Sequence, residues 1–156
     1  MKNVFLQKGK CDDWFTPKEL YNYFINDLCC EDPCKLYELD IHDNLFNDFG
    51  DVNLFINPPY SKLKDWVEFA IFNHRIYKRF IFLLLPVRSD AIAFKKLYDY
   101  GTNFIFIKGR ISFGDSKNKA PFASVICLIN GCCSYIHYID SKNLVNELNK
   151  IIIDIS

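Results

Sequence analysis

Apolar runs alternate with amphipathic segments along the chain, and this alternation predicts strands that are separated by helices. Apolar runs predict strands at 36–41, 52–56, 79–85, 103–107 and 123–129, with 134–139 as a further edge candidate. Apolar residues recur at helical spacing over 18–28, 62–74, 91–100 and 141–155. Long crossovers predict parallel pairing, whereas the short connection before 123–129 predicts an antiparallel pair. The fold class is therefore an α/β open sheet, mostly parallel, with an antiparallel C-terminal strand.

The strand at 52–56 ends abruptly in Asn57-Pro58-Pro59-Tyr60. Two successive prolines fix their own φ and cannot donate to a sheet, so the strand must stop there. The turn then lies at the carboxyl end of a strand, where open α/β sheets place their ligands. The side-chain carbonyl of Asn57 and the backbone carbonyl of Pro58 are two acceptors that can hold both hydrogens of an NH2 group. Tyr60 can stack on a planar substrate; the alternative is a stiff surface turn.

An Asn-Pro-Pro-Tyr turn after an apolar strand resembles the catalytic motif of S-adenosylmethionine-dependent methyltransferases that act on adenine in DNA. Five further segments narrow the resemblance to the phage-type Dam family of DNA adenine methyltransferases: Asp13-Trp14-Phe15-Thr16-Pro17, Asp32-Pro33-Cys34, Leu85-Pro86-Val87-Arg88-Ser89-Asp90, Gly109-Arg110-Ile111-Ser112-Phe113 and Ala120-Pro121-Phe122-Ala123-Ser124. They occur in the family's order over about residues 12–130. The resemblance implies one methyltransferase domain over 1–156 with the class I, Rossmann-like fold, and the pattern adds a C-terminal helix at about 141–155.

The resemblance also implies a reaction. The sulfonium methyl of S-adenosylmethionine is transferred to the exocyclic N6 amine of adenine, which Asn57 and the Pro58 carbonyl hold while Tyr60 stacks on the base. No histidine is required as a base, because the nitrogen can lose its proton after it has become cationic. A base inside a duplex cannot reach such a turn, so base flipping is implied. The chain is too short for a separate target-recognition domain, and we expect modest or short-motif specificity, or a preference for unpaired DNA.

By resemblance, the cofactor pocket is lined by the segment Trp14-Phe15-Thr16-Pro17, whose backbone meets the methionine end of S-adenosylmethionine. Thr16 is also a favourable helix N-cap, followed by proline at the first helical position. Asp43 corresponds to the acid on the adenine side. The acid for the ribose is either Asp32, in the Asp-Pro-Cys element, or Asp40, at the end of a predicted strand, and this choice stays open. The Gly-rich turn of most methyltransferases is absent, which leaves cofactor affinity in question.

Composition restricts how DNA could be bound. The formal net charge is +0, so attraction to DNA has to come from a local patch. Four cations in one predicted loop form the best candidate for contact with the DNA backbone: Lys108, Arg110, Lys117 and Lys119. Arg88 follows another strand at the same edge and is placed to meet a phosphate or pair with an acid. The alternative for the loop is a solvated hairpin.

The remaining features concern metal, membrane and assembly. The seven cysteines contain no Cys-x-x-Cys pair, so we expect no metal site and reduced, buried thiols. No apolar run approaches the length of a membrane span, and the first residues do not resemble a signal peptide. We therefore expect a cytoplasmic protein, and the resemblance implies a phage or prophage gene product in a bacterial host. Whether it forms a homodimer stays open.

Two rival functions accompany the leading one. An Asn-Pro-Pro-Tyr turn also suits methylation of another planar NH2 group, in RNA or in a protein glutamine side chain. A non-enzymatic rival is a degraded methyltransferase domain that only binds DNA or a protein partner. The five flanking segments favour the DNA adenine enzyme.

Overall fold

The computed structural model describes residues 14–36, 49, 51–113, 119–131 and 134–155. Its helices are α1 (Lys18–Asn22), which continues as a π-helical turn (Tyr23–Asp27), α2 (Pro33–Leu36), α3 (Leu63–Tyr77), α4 (Ile92–Tyr100) and α5 (Leu144–Ile155). Its strands are β1 (Leu54–Ile56), β2 (Ile81–Pro86), β3 (Asn103–Lys108), β4 (Ser124–Ile129) and β5 (Ile136–Asp140). The predicted strand at 36–41 lies outside the described residues, apart from residue 36, which ends α2.

The five strands form one open sheet in the order β1-β2-β4-β3-β5. β1 pairs parallel to β2, and β3 pairs parallel to β5, whereas β4 runs antiparallel to both of its neighbours. The antiparallel pairing of β4 with β3 is confirmed. The prediction that the antiparallel strand is the C-terminal one was wrong, because β5 follows it and runs parallel to β3. Every residue of β4 is buried, which fits an interior strand, while β5 is largely exposed, as suits an edge.

Helices cover both faces of the sheet, because alternate strand residues point to opposite sides. One face carries Ile56 and Leu83 and packs under α3 and α4. The other face carries Phe55 and packs under α1, its π-helical turn and α5. On that second face, the rings of Phe24 and Phe55 are stacked with centroids 4.2 Å apart. This two-sided burial explains why β1, β2 and β4 are continuous apolar runs and do not alternate with polar residues.

Two helix ends show how local sequence sets the boundaries. α4 ends at Gly101 with φ +89°, because glycine adopts left-handed backbone without a Cβ penalty. As a serine directly after the proline turn, Ser61 is a natural N-cap for the next helix. Instead it lies inside a 3₁₀ turn (Tyr60–Lys62), and α3 begins one residue after that turn with Lys62 at the N-cap position.

The direction of the strands creates one edge at which many loops meet. β1, β2, β3 and β5 end at this carboxyl edge, and β4 begins there. In open sheets this edge holds the ligand. Within the described ranges, no helix is both long and apolar enough to cross a membrane.

Candidate active site

The proline turn lies at the carboxyl edge directly after β1, whose last residue is Ile56. Pro58 is buried, and Pro59 has φ −56° and ψ 123°, the extended conformation that ends a strand. The Lys62 backbone N–H donates to the Pro59 carbonyl at 3.0 Å and closes the following 3₁₀ turn. The predicted strand stop at the first proline is therefore confirmed.

The Asn57 side chain is held on one side only. Its Nδ2 donates to the Trp14 backbone carbonyl at 2.5 Å and to Thr16 Oγ1 at 3.0 Å. Its Oδ1 is buried, and among the described residues it has no hydrogen-bond partner. Because most buried polar atoms in folded proteins are paired, an acceptor left over at this edge is suited to a bound donor.

The contact with Asn57 also overturns a prediction about Thr16. The N-cap of α1 is Pro17, and no side-chain hydrogen bond caps this helix. The predicted N-cap role of Thr16 was therefore wrong, and the physical reason is that its hydroxyl is engaged by the Asn57 amide.

Aromatic side chains from four of the quoted segments form a cluster next to the turn. Trp14 lies edge-on to Phe113 and Phe122, at centroid distances of 5.4 and 5.1 Å. Phe122 in turn contacts the Tyr60 ring at 5.5 Å. We call Trp14, Tyr60, Phe113 and Phe122 the aromatic wall. Phe15 is not part of it, since 71% of its surface is exposed.

Tyr60 has a buried hydroxyl that, within the described part of the chain, has no hydrogen-bond partner. Burial raises the pKa of Tyr60 well above its usual value. The phenol therefore stays protonated at physiological pH, and its oxygen can donate or accept.

The Asp-Pro-Cys element reaches the same site along the outer side of β1. Glu31 pairs with β1 like a short parallel strand, with its N–H donating to the Asn53 carbonyl at 2.9 Å. Asp32 follows and is buried, and its Oδ1 accepts from the Cys34 N–H at 3.0 Å. Asp40 and Asp43 lie outside the described residues, so the choice between Asp32 and Asp40 stays open.

The Cys34 thiol lies beside the proline turn. Burial, and then the Asp32 carboxylate, raise the pKa of this thiol well above its usual value, while the Asn57 backbone N–H, which hydrogen-bonds the sulfur, acts in the opposite direction. The Asp-Pro-Cys element is thereby in contact with the turn, although the two are separated by more than twenty residues.

Two backbone bonds bring the remaining segments to this edge. The Val87 N–H donates to the Ala123 carbonyl at 2.9 Å, and the Ala120 N–H donates to the Ile111 carbonyl at 2.9 Å. Segments 85–90, 109–113 and 120–124 are thus tied together beside the aromatic wall. The described parts of all six quoted segments, scattered over more than 100 residues, therefore meet at one edge of the sheet.

A comparison with protein families agrees with this convergence. The family model described as DNA N-6-adenine-methyltransferase (Dam) matches residues 4–145. The chain belongs to the Dam family. Membership indicates methylation of the N6 amine of adenine in DNA, which was the leading prediction, and nothing in the structure favours the rival functions. No curated protein matches the chain.

Four of the five predicted DNA-contacting residues of this Dam-family chain are described, and these four lie at the carboxyl edge with different partners. Arg88 Nε forms an exposed ion pair with Asp90 Oδ1 at 3.4 Å, and Lys108 Nζ lies 3.9 Å from Asp140 Oδ2. Arg110 is exposed, and its Nη1 donates to the Ala120 carbonyl at 3.3 Å. Lys119 is exposed, whereas Lys117 lies outside the described residues.

The aromatic wall contains two functional candidates that sequence reasoning missed. Phe113 and Phe122 were noted as parts of family segments, but no role was given to them. Periodicity carried no signal for them, because neither residue lies in a helix or a strand. What distinguishes them is contact with Trp14, and that contact exists only in the folded chain.

Among the described cysteines and histidines of the Dam-family chain, Cys34 is the one that contacts the proline turn. Over the described ranges, no group of three or more His, Cys, Asp or Glu side chains could hold a metal ion. Cys29 is a free thiol and is exposed, so the expectation that all cysteines are buried was wrong for it. His74 is buried with Nδ1 2.8 Å from the Arg79 carbonyl, which is a structural arrangement.

Proposed function

We propose that this chain transfers the methyl group of S-adenosylmethionine to the N6 amine of adenine in DNA at the Asn57-Pro58-Pro59-Tyr60 turn. The observation that carries the proposal is the buried, unpartnered Oδ1 of Asn57 among the described residues. An exocyclic amine is a donor of the kind that this oxygen lacks. The Pro58 carbonyl is the second acceptor, and the Tyr60 ring stacks on the base.

The residues of the turn act by position. Two acceptors that hold both hydrogens of the amine turn the nitrogen lone pair toward the incoming methyl group. Proline holds the Pro58 carbonyl in place, since its ring restricts the backbone. Orientation of this kind lowers a barrier without any general base. The amine loses its extra proton after it has become cationic.

The residues at the edge fit S-adenosylmethionine. When bound, this cofactor supplies a methyl group on a positively charged sulfonium, a strong electrophile. The aromatic wall offers apolar ring surfaces, and buried Asp32 brings a carboxylate close to the turn. We assign the cofactor to the segment 14–17, with Asp32 as the acid for the ribose and Asp40 as its alternative. Asp43 stays the predicted acid on the adenine side.

The proposal for DNA follows from the exposed cations and the depth of the site. The buried Asn57 oxygen cannot be reached by a base within a duplex, so the adenine is flipped out or already unpaired. Arg88, Lys108, Arg110, Lys117 and Lys119 contact phosphates. We further propose the class I, Rossmann-like fold in a single domain over 1–156, of the phage type. The parallel strands that surround antiparallel β4 support this fold.

Homodimer formation also stays a proposal. The edge strand β5 leaves Ile136 and Tyr138 exposed at 69% and 73%, and Tyr135 just before it is exposed as well. Exposed apolar side chains on an edge strand are a natural surface for self-association. Sedimentation analysis of wild type and of Tyr138→Lys would test this, and concentration-independent monomers in both would contradict it.

The experiment that tests the function uses tritiated S-adenosylmethionine with unmethylated DNA, RNA and protein in parallel, followed by nucleoside and amino-acid analysis. We expect label in N6-methyladenine from DNA. Label in guanine or glutamine, with none in adenine, would reject the proposal. Calorimetry with S-adenosylmethionine separates catalysis from binding, because a module that only binds DNA would take up no cofactor.

A further inference from the structure

We propose that Thr16 is a positioning residue that sets the orientation of the Asn57 amide and so keeps its oxygen toward the substrate. This inference rests on the proposed function and adds a residue to it. Thr16 was expected to act as a helix cap and to line the cofactor pocket. Its hydroxyl accepts a hydrogen bond from Asn57 Nδ2 at 3.0 Å, which gives the side chain a role of its own, while its backbone stays with the proposed cofactor segment.

The chemistry of the partners decides which way the amide faces. A backbone carbonyl accepts and never donates, so the amide atom 2.5 Å from the Trp14 oxygen has to be the NH2 group. An NH2 group has two hydrogens, and the Trp14 carbonyl and Thr16 Oγ1 accept one each. The oxygen of Asn57 is then directed to the other side, where no described residue bonds to it.

This orientation matters because an asparagine amide can rotate. Its terminal torsion is broad and roughly two-fold, so the two ends exchange places at little intrinsic cost. A rotated amide would present NH2 to the NH2 of adenine, a donor facing a donor. Two anchors on the nitrogen make that rotation costly, since both bonds would be lost together.

Of these two anchors, Thr16 is the one that a side-chain substitution can remove. Trp14 contributes its backbone carbonyl, which persists whatever side chain it carries. The Thr16 hydroxyl is also not needed to cap α1, where no side-chain cap bond exists. Replacing it by a methyl group therefore removes one acceptor for Asn57 and leaves the helix start unchanged.

The test compares Thr16→Val with Thr16→Ser in the full chain, using steady-state methyl transfer to DNA. We expect Thr16→Val to lower kcat roughly tenfold to a hundredfold, the range for a slightly misplaced catalytic group. KM for DNA and the Kd for S-adenosylmethionine should stay within about twofold of wild type, because both ligands still bind. Thr16→Ser keeps the acceptor and should restore most of the rate.

The chain offers a matched control, because Thr102 is its other threonine. It is fully buried just before β3, at the opposite edge of the sheet, and its hydroxyl has no hydrogen-bond partner within the described part of the chain. Thr102→Val makes the same chemical change away from the site and should leave kcat unchanged. If Thr16→Val fails to fold, the rate ratio of Thr16→Ser to Thr16→Ala replaces it.

Three results would overturn the inference. The first is wild-type kcat in Thr16→Val, and the second is an equal loss in Thr16→Ser. The third is a weaker affinity for S-adenosylmethionine with kcat unchanged, which would assign the Thr16 side chain to the cofactor pocket. These outcomes differ from failure of the proposed function, in which wild type itself would place no methyl group on adenine.

Discussion

Two asparagines at opposite edges of the sheet show how a structural amide differs from a functional one. Asn103 begins β3 and is completely buried, with Nδ2 donating to Asn130 Oδ1 at 2.9 Å and Oδ1 accepting from the Tyr135 N–H at 3.0 Å. Asn57 follows β1 and uses only its nitrogen. Both ends of the Asn103 amide are satisfied by the chain, whereas one end of the Asn57 amide is kept for something else.

The difference concerns what each side chain stabilises. Asn103 connects β3 to the residues after β4 and before β5, so its bonds contribute to folding. The unpaired oxygen of Asn57 contributes nothing to folding and, being buried, carries a desolvation cost. Such a cost at a ligand-binding edge is expected where function and not stability has selected the residue.

The largest effect should come from Asn57→Ala. We expect methyl transfer to fall about 10²- to 10³-fold, as when one preorganised polar group of an active site is removed. Cofactor affinity should stay close to wild type, because the aromatic wall is unchanged. Rates are measured with tritiated cofactor on DNA and affinity by calorimetry. Undiminished turnover would show that Asn57 has no part in the mechanism and that its amide is not the functional counterpart of Asn103.

Asn103→Ala should lower stability and leave the rate of methyl transfer unchanged, in contrast to Asn57→Ala. Losing both amide bonds removes the Asn103 partners of the Tyr135 N–H and of the buried Asn130 Oδ1, so we expect the free energy of unfolding to fall by roughly 1–3 kcal/mol. The rate of methyl transfer per folded molecule should be unchanged. Urea unfolding, together with activity at low temperature, measures both quantities. A loss of activity in Asn103→Ala without a loss of stability would show that Asn103 has a functional role as well as a structural one.

For DNA binding, exposed cations at the carboxyl edge can be compared with an exposed lysine elsewhere on the chain. Arg110→Ala and Lys119→Ala should each weaken DNA binding for all sequences and reduce the slope of log K against log salt by about 1. The matched control is Lys150→Ala in α5, an exposed lysine outside the carboxyl-edge loops. Fluorescence titrations at several salt concentrations provide the slopes. Equal slopes for all three variants and wild type would contradict the assigned surface.

The smallest effect on stability is expected from removing the hydroxyl of either of two tyrosines, Tyr23 and Tyr60. The Tyr23 hydroxyl donates to Asn149 Oδ1 at 3.1 Å and joins the π-helical turn to α5, so Tyr23→Phe should cost about 1 kcal/mol. Tyr60→Phe removes a hydroxyl that has no partner in the described ranges and should cost nothing in stability. Denaturation at pH 7 measures both, and equal costs would show that the Tyr60 hydroxyl has a structural role.

Tyr23 also gives a pH dependence. Burial, followed by the nearby Asp27, raises the pKa of Tyr23 from 10.0 to about 12. A folded-state pKa above the unfolded value means that the contribution to stability is fully present below pH 10 and is lost as the pH rises toward 12. Tyr23→Phe should therefore lose less stability than wild type over this alkaline interval. Parallel curves for the two proteins would contradict the shift.

Much of the fold could be predicted from local sequence. The continuous apolar runs of β2 and β4 identify strands buried on both faces, and Gly101 marks the end of α4. The stop after β1 follows from proline, which cannot take part in a sheet ladder. The position of β4 between β2 and β3 could not be predicted, since strand order depends on packing between segments that are distant along the chain.

In the candidate site, too, some features follow from local sequence and others from the tertiary structure. The sequence by itself determined that a rigid turn with two fixed acceptors ends a strand, because proline restricts the backbone whatever its surroundings. Only the tertiary structure decided which end of the Asn57 amide is available, because that depends on Trp14 and Thr16, more than forty residues away. It likewise decided that Phe113 and Phe122 stand beside Tyr60. Covalent geometry acts within a few residues, whereas hydrogen-bond partners and ring contacts are set by the folding of the whole chain.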